Sequence, residues 1–267
     1  MHGAVIAKRR LPLRYVPLDV PPEAFPDLLR LARKSANILG GNVTIPHKEA
    51  AAALADERSR AAELCGAANV LVVRDGRLLA DNTDGSGLLD AFEEAGWGRV
   101  FGRVAILGAG GAARGVASAL LEAGAASVVI LNRTERRAGE LAELMGAAFP
   151  SRRIGTAPLD APSMEAAFRD ADLVVQCTSL GLRERFDSFP AASVPRRAKF
   201  ADIVYKIDGN PLVRALRRRG VAAMDGLPML AHQAARSFAL WTGISVPGRE
   251  FLAAARAEAR KAGRGKG

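Results

Sequence analysis

Hydrophobic and polar positions change their period several times along the chain, and each change marks an element. Phe25, Leu28, Leu29 and Ala32 recur at helical spacing, and the stretch LRYVPLDV (13–20) before them predicts a short strand interrupted by Pro17. After Gly40 and Gly41 comes the extended run NVTI, and Pro46 then suits the first turn of a helix reaching about Arg60, because its missing N–H would be unpaired there anyway. Val70–Val73 reads as a β-branched strand, with the Asp75-Gly76 turn joining it to Leu78–Ala80 as a hairpin. A helix over about 86–95 and a Gly-Trp-Gly turn close this part.

The pattern is different from residue 104 onward. The runs VAIL (104–107), SVVIL (127–131), DLVVQCT (172–178) and DIVY (202–205) are short and predominantly apolar, which suits strands covered on both faces. Helical stretches to about Ala123 and over Glu135–Met145 alternate with them, which is the order of a Rossmann-type parallel sheet. Asn210 and Pro211 form a cap and first-turn pair for a helix to Arg219, and Pro228–Trp241 predicts another. The tail RAEARKAGRGKG is helical at most in its first half.

Composition narrows the class without deciding it. A chain of 267 residues with 49% hydrophobic and 25% charged residues can bury a core without metals or disulfides. Cys65 and Cys177 read as two buried free thiols, which suits a reducing cytoplasm. The basic cluster near the start follows an apolar stretch instead of preceding one. The longest membrane contender, Val104–Leu121, contains Arg114 and four glycines, so neither leader nor span is expected. The net charge of +10 is spread along the sequence with only 5% aromatics, which argues against specific nucleic-acid binding.

The glycine string Gly108-Ala109-Gly110-Gly111-Ala112-Ala113 follows a strand and opens a helix. Gly108 permits the tight turn, Gly110 lets backbone approach a pyrophosphate, and Ala113 lets the helix pack closely, so this is a dinucleotide loop. An NAD site would place an acid about 20 residues on, near the end of the next strand. Here the chain reads Asn132, Arg133, Thr134, Glu135, Arg136, Arg137, and Arg133, Thr134 and Arg137 suit the 2′-phosphate of NADP. In the first part, Lys48 of NVTIPHK falls at a helix start, where the dipole disfavours an ammonium, and Asp84 of DNTD is a candidate partner for acid/base work. Local sequence does not show that they meet. His47 and His232 read as structural, and three unclustered histidines predict no catalytic metal.

Together LRYVPLDV, NVTIPHK, GAAN (66–69), NTDG (82–85), GAGGAAR (108–114), NRTERR (132–137), CTSLGL (177–182), DIVY and DGLPMLAHQAARSFALWTG (225–243) resemble the shikimate dehydrogenase family over nearly the whole chain. The resemblance implies an α/β protein of two domains. Residues 1–85 and 228–267 would form an α/β substrate domain completed by C-terminal helices, and 86–227 a Rossmann-type NADP-binding domain. It implies NADPH-dependent reduction of 3-dehydroshikimate to shikimate in aromatic amino-acid (chorismate) biosynthesis, with Lys48 and Asp84 as the catalytic pair. Thr44, Asn69, Tyr205 and Gln233 would contact substrate, and Ile203 and Gly226 would line the nicotinamide side. Ketone reduction places negative charge on oxygen as hydride arrives, which an ammonium at Lys48 can stabilise and protonate. The partner set is a small-molecule substrate, with no membrane, and a monomer or homodimer.

The sequence also departs from the family. MHGA matches the middle of the family's SLSPxxHNA segment, so the Ser-x-Ser pair that holds the substrate carboxylate is missing from this chain. Either a start codon assigned too far downstream or a relative with a changed anion clamp accounts for this, and Val5, Ile6 and the LRYV strand are then expected to be poorly covered. VYKIDGNPL (204–212) replaces VYNPxxTPL, which loosens the loop after Tyr205. A quinate/shikimate dehydrogenase of broader specificity and a catalytically weak NADP-binding regulatory protein are the alternatives.

Overall fold

The computed structural model describes residues 1–178, 189–205 and 209–264. The chain divides into two compact units, Met1–Leu88 with Leu230–Gly267, and Leu89–Met229.

In the first unit, helices α1 (His2–Lys8) and α2 (Phe25–Lys34) precede strand β1 (Gly40–Asn42). Helix α3 (Lys48–Leu54), strand β2 (Glu57–Arg58), helix α4 (Arg60–Cys65), strands β3 (Val70–Arg74) and β4 (Arg77–Asp81), and helix α5 (Asp84–Glu94) follow. The sheet order is β1-β3-β4-β2, with β1 and β4 antiparallel to β3 and β2 parallel to β4. Asp75 and Gly76, at φ 52° and 74°, both take the left-handed region that a two-residue hairpin loop demands. Ala51, Ala52, Ala62, Leu71 and Leu78 bury the faces of α3, α4 and the hairpin in one core with Phe25 and Leu29 of α2.

Several expectations change here. Pro46 is not in a helix. It lies in the turn where His47 N–H donates to the Thr44 carbonyl at 2.9 Å, and α3 begins only at Lys48. The helix expected to reach Arg60 ends at Leu54, because β2 intervenes and Ser59 caps a separate helix, its Oγ accepting from Ala62 N at 3.2 Å. The segment LRYVPLDV forms no strand; Tyr15, Val16 and Leu18 are exposed. Val5 and Ile6, expected to be poorly covered, are instead buried: α1 packs them against Ala231, Ala234, Phe238 and Phe251.

The second unit runs β5 (Arg103–Leu107), α6 (Gly111–Glu122), β6 (Ser127–Asn132), α7 (Glu135–Ala148), β7 (Arg153–Pro158), α8 (Ala161–Arg169), β8 (Leu173–Gln176), β9 (Lys199–Asp202), α9 (Pro211–Arg218) and β10 (Ala222–Met224). Its six strands are all parallel in the order β10-β9-β8-β5-β6-β7, a Rossmann-type sheet. Central strands β5 and β8 are buried almost throughout, as their unbroken apolar runs required. Asn210 caps α9 as expected, its Oδ1 accepting from Leu212 N at 3.0 Å. Helices α10 (Gly226–Thr242) and α11 (Gly248–Arg264) end the chain, and α11 continues well past the point where the tail was expected to fray. Cys65 is buried but Cys177 only half-buried, and among the described residues neither forms a disulfide. Among the described residues, no helix is long and apolar enough to cross a membrane.

Candidate functional site

In the first unit, three polar sequence stretches converge. Asn82 starts α5 by accepting from Asp84 N at 3.1 Å, while its own amide donates to the Ala67 carbonyl at 3.0 Å, so the NTDG corner is tied to the connection between α4 and β3. That fixes Asp84 at the first residue of α5, a position that favours a carboxylate. Its Oδ2 lies 2.6 Å from Lys48 Nζ, and its Oδ1 accepts from Asn69 Nδ2 at 2.7 Å. Lys48 is the first residue of α3, where an ammonium opposes the helix dipole, so Asp84 supplies the compensating charge. The pair is mostly buried, with side-chain exposures of 21% for Lys48 and 10% for Asp84, which leaves an opening to the ammonium without exposing the carboxylate.

Asn69 is the hub of the cluster. Its amide also reaches Gln233 Oε1 at 3.0 Å and Thr83 Oγ1 at 3.2 Å, and its Oδ1 accepts from Thr83 N at 2.8 Å. Asn69 is therefore committed to orienting Asp84, Thr83 and Gln233. The amide of Gln233 is the group with a donor to spare, since only its Oε1 is engaged among the described residues. Thr44 is exposed, and its hydroxyl makes no hydrogen bond among the described residues. Tyr205 belongs to the other unit and is 46% exposed, next to residues 206–208, which lie outside the described ones together with 179–188. The expected loosening after Tyr205 and most of CTSLGL therefore fall outside what is described.

Sequence reasoning missed four polar residues beside this cluster. Tyr15 OH donates to Asn42 Oδ1 at 3.1 Å, Asn42 Nδ2 donates to Ser237 Oγ at 2.9 Å, and Ser237 Oγ donates to the Gln233 carbonyl at 2.9 Å. Thr83, between two residues singled out as a motif, joins them through the Gln233 carbonyl at 3.4 Å. The available signal was the spacing of Gln233 and Ser237, four apart on one helix and so on one face. His47 is structural as expected, with Nε2 donating to the Val20 carbonyl at 2.7 Å and its ring stacked on Phe25.

In the second unit, the glycine string does what its spacing implies. Gly108 takes φ 108° and a side chain there would crowd the Cys177 backbone at 3.2 Å, whereas a Cβ at Gly110 would meet nothing within 4 Å. The first turn of α6 from Gly111 thus leaves backbone N–H groups facing open space beside Gly110, with Ala109 buried behind them and Ala112 half-buried. At the end of β6, Asn132 Nδ2 donates to the Thr134 carbonyl at 2.8 Å and shapes the loop. Arg133, Thr134 and Arg137 are exposed there, and neither arginine has a side-chain partner among the described residues. Arg136, by contrast, is paired with Glu140. This donor set fits a dinucleotide carrying an extra phosphate. Ile203 and Gly226 are adjacent: a Cβ at Gly226 would sit 2.0 Å from the Ile203 carbonyl oxygen, so only glycine fits. Among the described residues, no group of three or more His, Cys, Asp or Glu is placed to hold a metal ion.

Comparison with known proteins gives the same assignment. Three family models match in order: the shikimate dehydrogenase substrate binding domain over residues 1–71, shikimate/quinate 5-dehydrogenase over 100–183, and the shikimate 5'-dehydrogenase C-terminal domain over 226–256. The chain is 44% identical over 249 residues to a shikimate dehydrogenase (NADP(+)) of Methylobacterium radiotolerans, covering 91% of this chain and 86% of that one. Shikimate 5-dehydrogenase from Thermus thermophilus, solved in complex with NADP(H) and shikimate, superposes with a TM-score of 0.83 at 36% identity, over 96% of this chain and 92% of that one. The enzyme from Listeria monocytogenes, in complex with shikimate and NAD, gives a TM-score of 0.87 at 27% identity over 94% and 88%. With motifs, fold and whole-length similarity in agreement, the chain is an oxidoreductase belonging to the shikimate dehydrogenase family.

Proposed function

We propose that the protein catalyses the reversible NADPH-dependent reduction of 3-dehydroshikimate to shikimate. The observation that carries this reading is the Lys48–Asp84 contact at 2.6 Å, held by Asn69 and flanked by the spare amide of Gln233. When bound, the nicotinamide cofactor supplies the hydride that reduces the ketone carbon. The ketone oxygen gains negative charge as its π bond breaks. Lys48 Nζ hydrogen-bonds that oxygen and gives it a proton, so that an alcohol forms and the amine is left to be reprotonated from solvent. Asp84 holds Nζ in place and accepts from a neighbouring substrate hydroxyl. Gln233 Nε2 and the Thr44 hydroxyl supply donors to a ring rich in hydroxyls. In the reverse direction Lys48, as the amine, removes the alcohol proton.

The choice of NADP over NAD rests on Arg133, just after β6, and Arg137, in the first turn of α7, both exposed and without a side-chain partner among the described residues, where an NAD site would place a carboxylate. The experiment is a spectrophotometric assay of 3-dehydroshikimate, shikimate and quinate with both nicotinamide cofactors. The proposal requires the 3-dehydroshikimate and shikimate reactions with NADP(H) to be the fastest. Preferred oxidation of quinate with NAD would assign the chain to the quinate side of the family.

A further inference from the structure

The second unit has a cleft at the end of its sheet opposite the glycine turn. Arg103, Ser127 and Arg153, the first residues of β5, β6 and β7, all line it, whereas the turn follows Leu107 at the other end of β5. The cleft holds about 350 Å³. On the α8 face its floor is the Val129 side chain and the strand backbone around Val104, Val128 and Gly155, and its wall is Ala167 of α8 with Ala171 just after that helix. The sheet order explains the gap: β7 is an edge strand, and α8 packs chiefly on β6. At Gly155, in the middle of β7 and also in the lining, a Cβ would meet nothing within 4 Å.

The mouth of this cleft is cationic. Arg153 is exposed and has no side-chain hydrogen bond or ion pair among the described residues. Arg103 is 55% exposed and touches Asp172 only at 4.0 Å, so its guanidinium is also available. The one carboxylate in the lining, Asp170, lies 4.0 Å from Arg197. A narrow space lined by Val129, Gly155, Ala167 and Ala171 beneath two guanidinium forks selects a flat apolar body with one planar anion.

We propose that this cleft binds an aromatic carboxylate, its ring lying on Val129 and the strand backbone at Gly155 against Ala167 and Ala171, and its carboxylate on Arg153 and Arg103. The site stands on the second unit alone and does not depend on the reaction proposed above. Isothermal titration of the full chain with 2-naphthoate, and with neutral 2-naphthamide, tests it. We expect one 2-naphthoate per chain, with Arg153→Ala weakening it by about fivefold or more while hardly changing 2-naphthamide. Gly155→Leu should fill the cleft and abolish binding of both. Ala167→Phe closes the same space from the wall and guards against a folding defect in the first variant, which NADPH binding and melting temperature would reveal. Absence of 2-naphthoate binding, or binding that Arg153→Ala and both filling variants leave unchanged, overturns the proposal. So does a dimer in sedimentation that Gly155→Leu dissociates without any 2-naphthoate site, because the occupant would then be a second copy of the chain at the β7 edge.

Discussion

Lys48 and Asp84 meet at 2.6 Å although 36 residues separate them, and each is the first residue of its own helix. The two helix starts make unequal demands. The positive end of α5 favours the Asp84 carboxylate, while that of α3 disfavours the Lys48 ammonium, so Lys48 depends on its partner more than Asp84 does. Asn69 occupies the other carboxylate oxygen and fixes which face Asp84 offers.

Lys48→Ala should lower kcat for 3-dehydroshikimate by about 10² or more, since proton delivery and charge stabilisation at the ketone oxygen occur mainly in the transition state. NADPH affinity, measured by fluorescence titration, should stay within about twofold. A variant with near-parental kcat at saturating substrate would reassign Lys48 to ground-state binding.

Asn69→Ala tests the hub. Asn69 is 3% exposed, and its loss leaves Thr83 N and one Asp84 oxygen buried without their partner, at a cost of about 2–3 kcal/mol of stability. Urea denaturation should show that loss, and kcat should fall as well because Asp84 is no longer oriented. Unchanged stability with unchanged kcat would remove Asn69 from the cluster's support.

Gly110 and Gly226 should respond oppositely to alanine. A Cβ at Gly226 would lie 2.0 Å from the Ile203 carbonyl oxygen, whereas one at Gly110 has open space around it and φ of −84°. Gly226→Ala should therefore lower the melting temperature by several degrees, while Gly110→Ala should leave it in place and weaken NADPH binding by about tenfold. Equal melting and equal affinity for the two variants would contradict this assignment of their roles.

The parallel sheet and the glycine turn were legible because buried central strands carry unbroken apolar runs such as VAIL and LVV, and because Gly108 and Gly110 serve backbone needs that only local sequence sets. Strand β7 was not. RIGTAP is an exposed edge with a glycine inside and a proline at its end, so it carries neither an apolar run nor clear alternation. Helix α1 was missed for another reason: its apolar face is explained only by Phe238 and Phe251, more than 200 residues away in sequence. The same distance problem hid the site's support. Lys48, Asp84, Asn69 and Gln233 were visible as residues within motifs, but the bonds from Asn42 to Ser237 and from Asn69 to Gln233 are long-range and leave no local trace.

If the proposed NADP reading holds, Arg133→Ala should weaken NADP+ by at least about tenfold and change NAD+ little, because the Arg133 guanidinium has no side-chain partner among the described residues and stands where a 2′-phosphate would need one. Equal losses for the two cofactors, by titration of each, would place Arg133 on the shared part of the dinucleotide.

His2 gives the fold a pH dependence. It is 5% exposed, its ring stacks on Tyr15 at 4.3 Å, and Nδ1 has no hydrogen-bond partner among the described residues. Burial, aided by the N-terminal ammonium and opposed by a hydrogen bond to Asn42, lowers its pKa from 6.5 to about 4. The folded value lies below the unfolded one, so the unfolded chain binds more protons between them. Stability should be full above about pH 6.5 and fall toward pH 4, by about 2 kcal/mol between pH 7 and 5. Denaturation midpoints of the parent and of His2→Phe should diverge over that range; identical slopes would show that His2 is not held neutral.

The most direct test of the account is the initial rate of NADPH oxidation with saturating 3-dehydroshikimate, set against the rates for 3-dehydroshikimate with NADH and for quinate with NAD+ and NADP+. The account predicts that 3-dehydroshikimate with NADPH is the fastest pair, by at least about tenfold over the same substrate with NADH. No turnover of that pair, or a faster oxidation of quinate with NAD+, would contradict it.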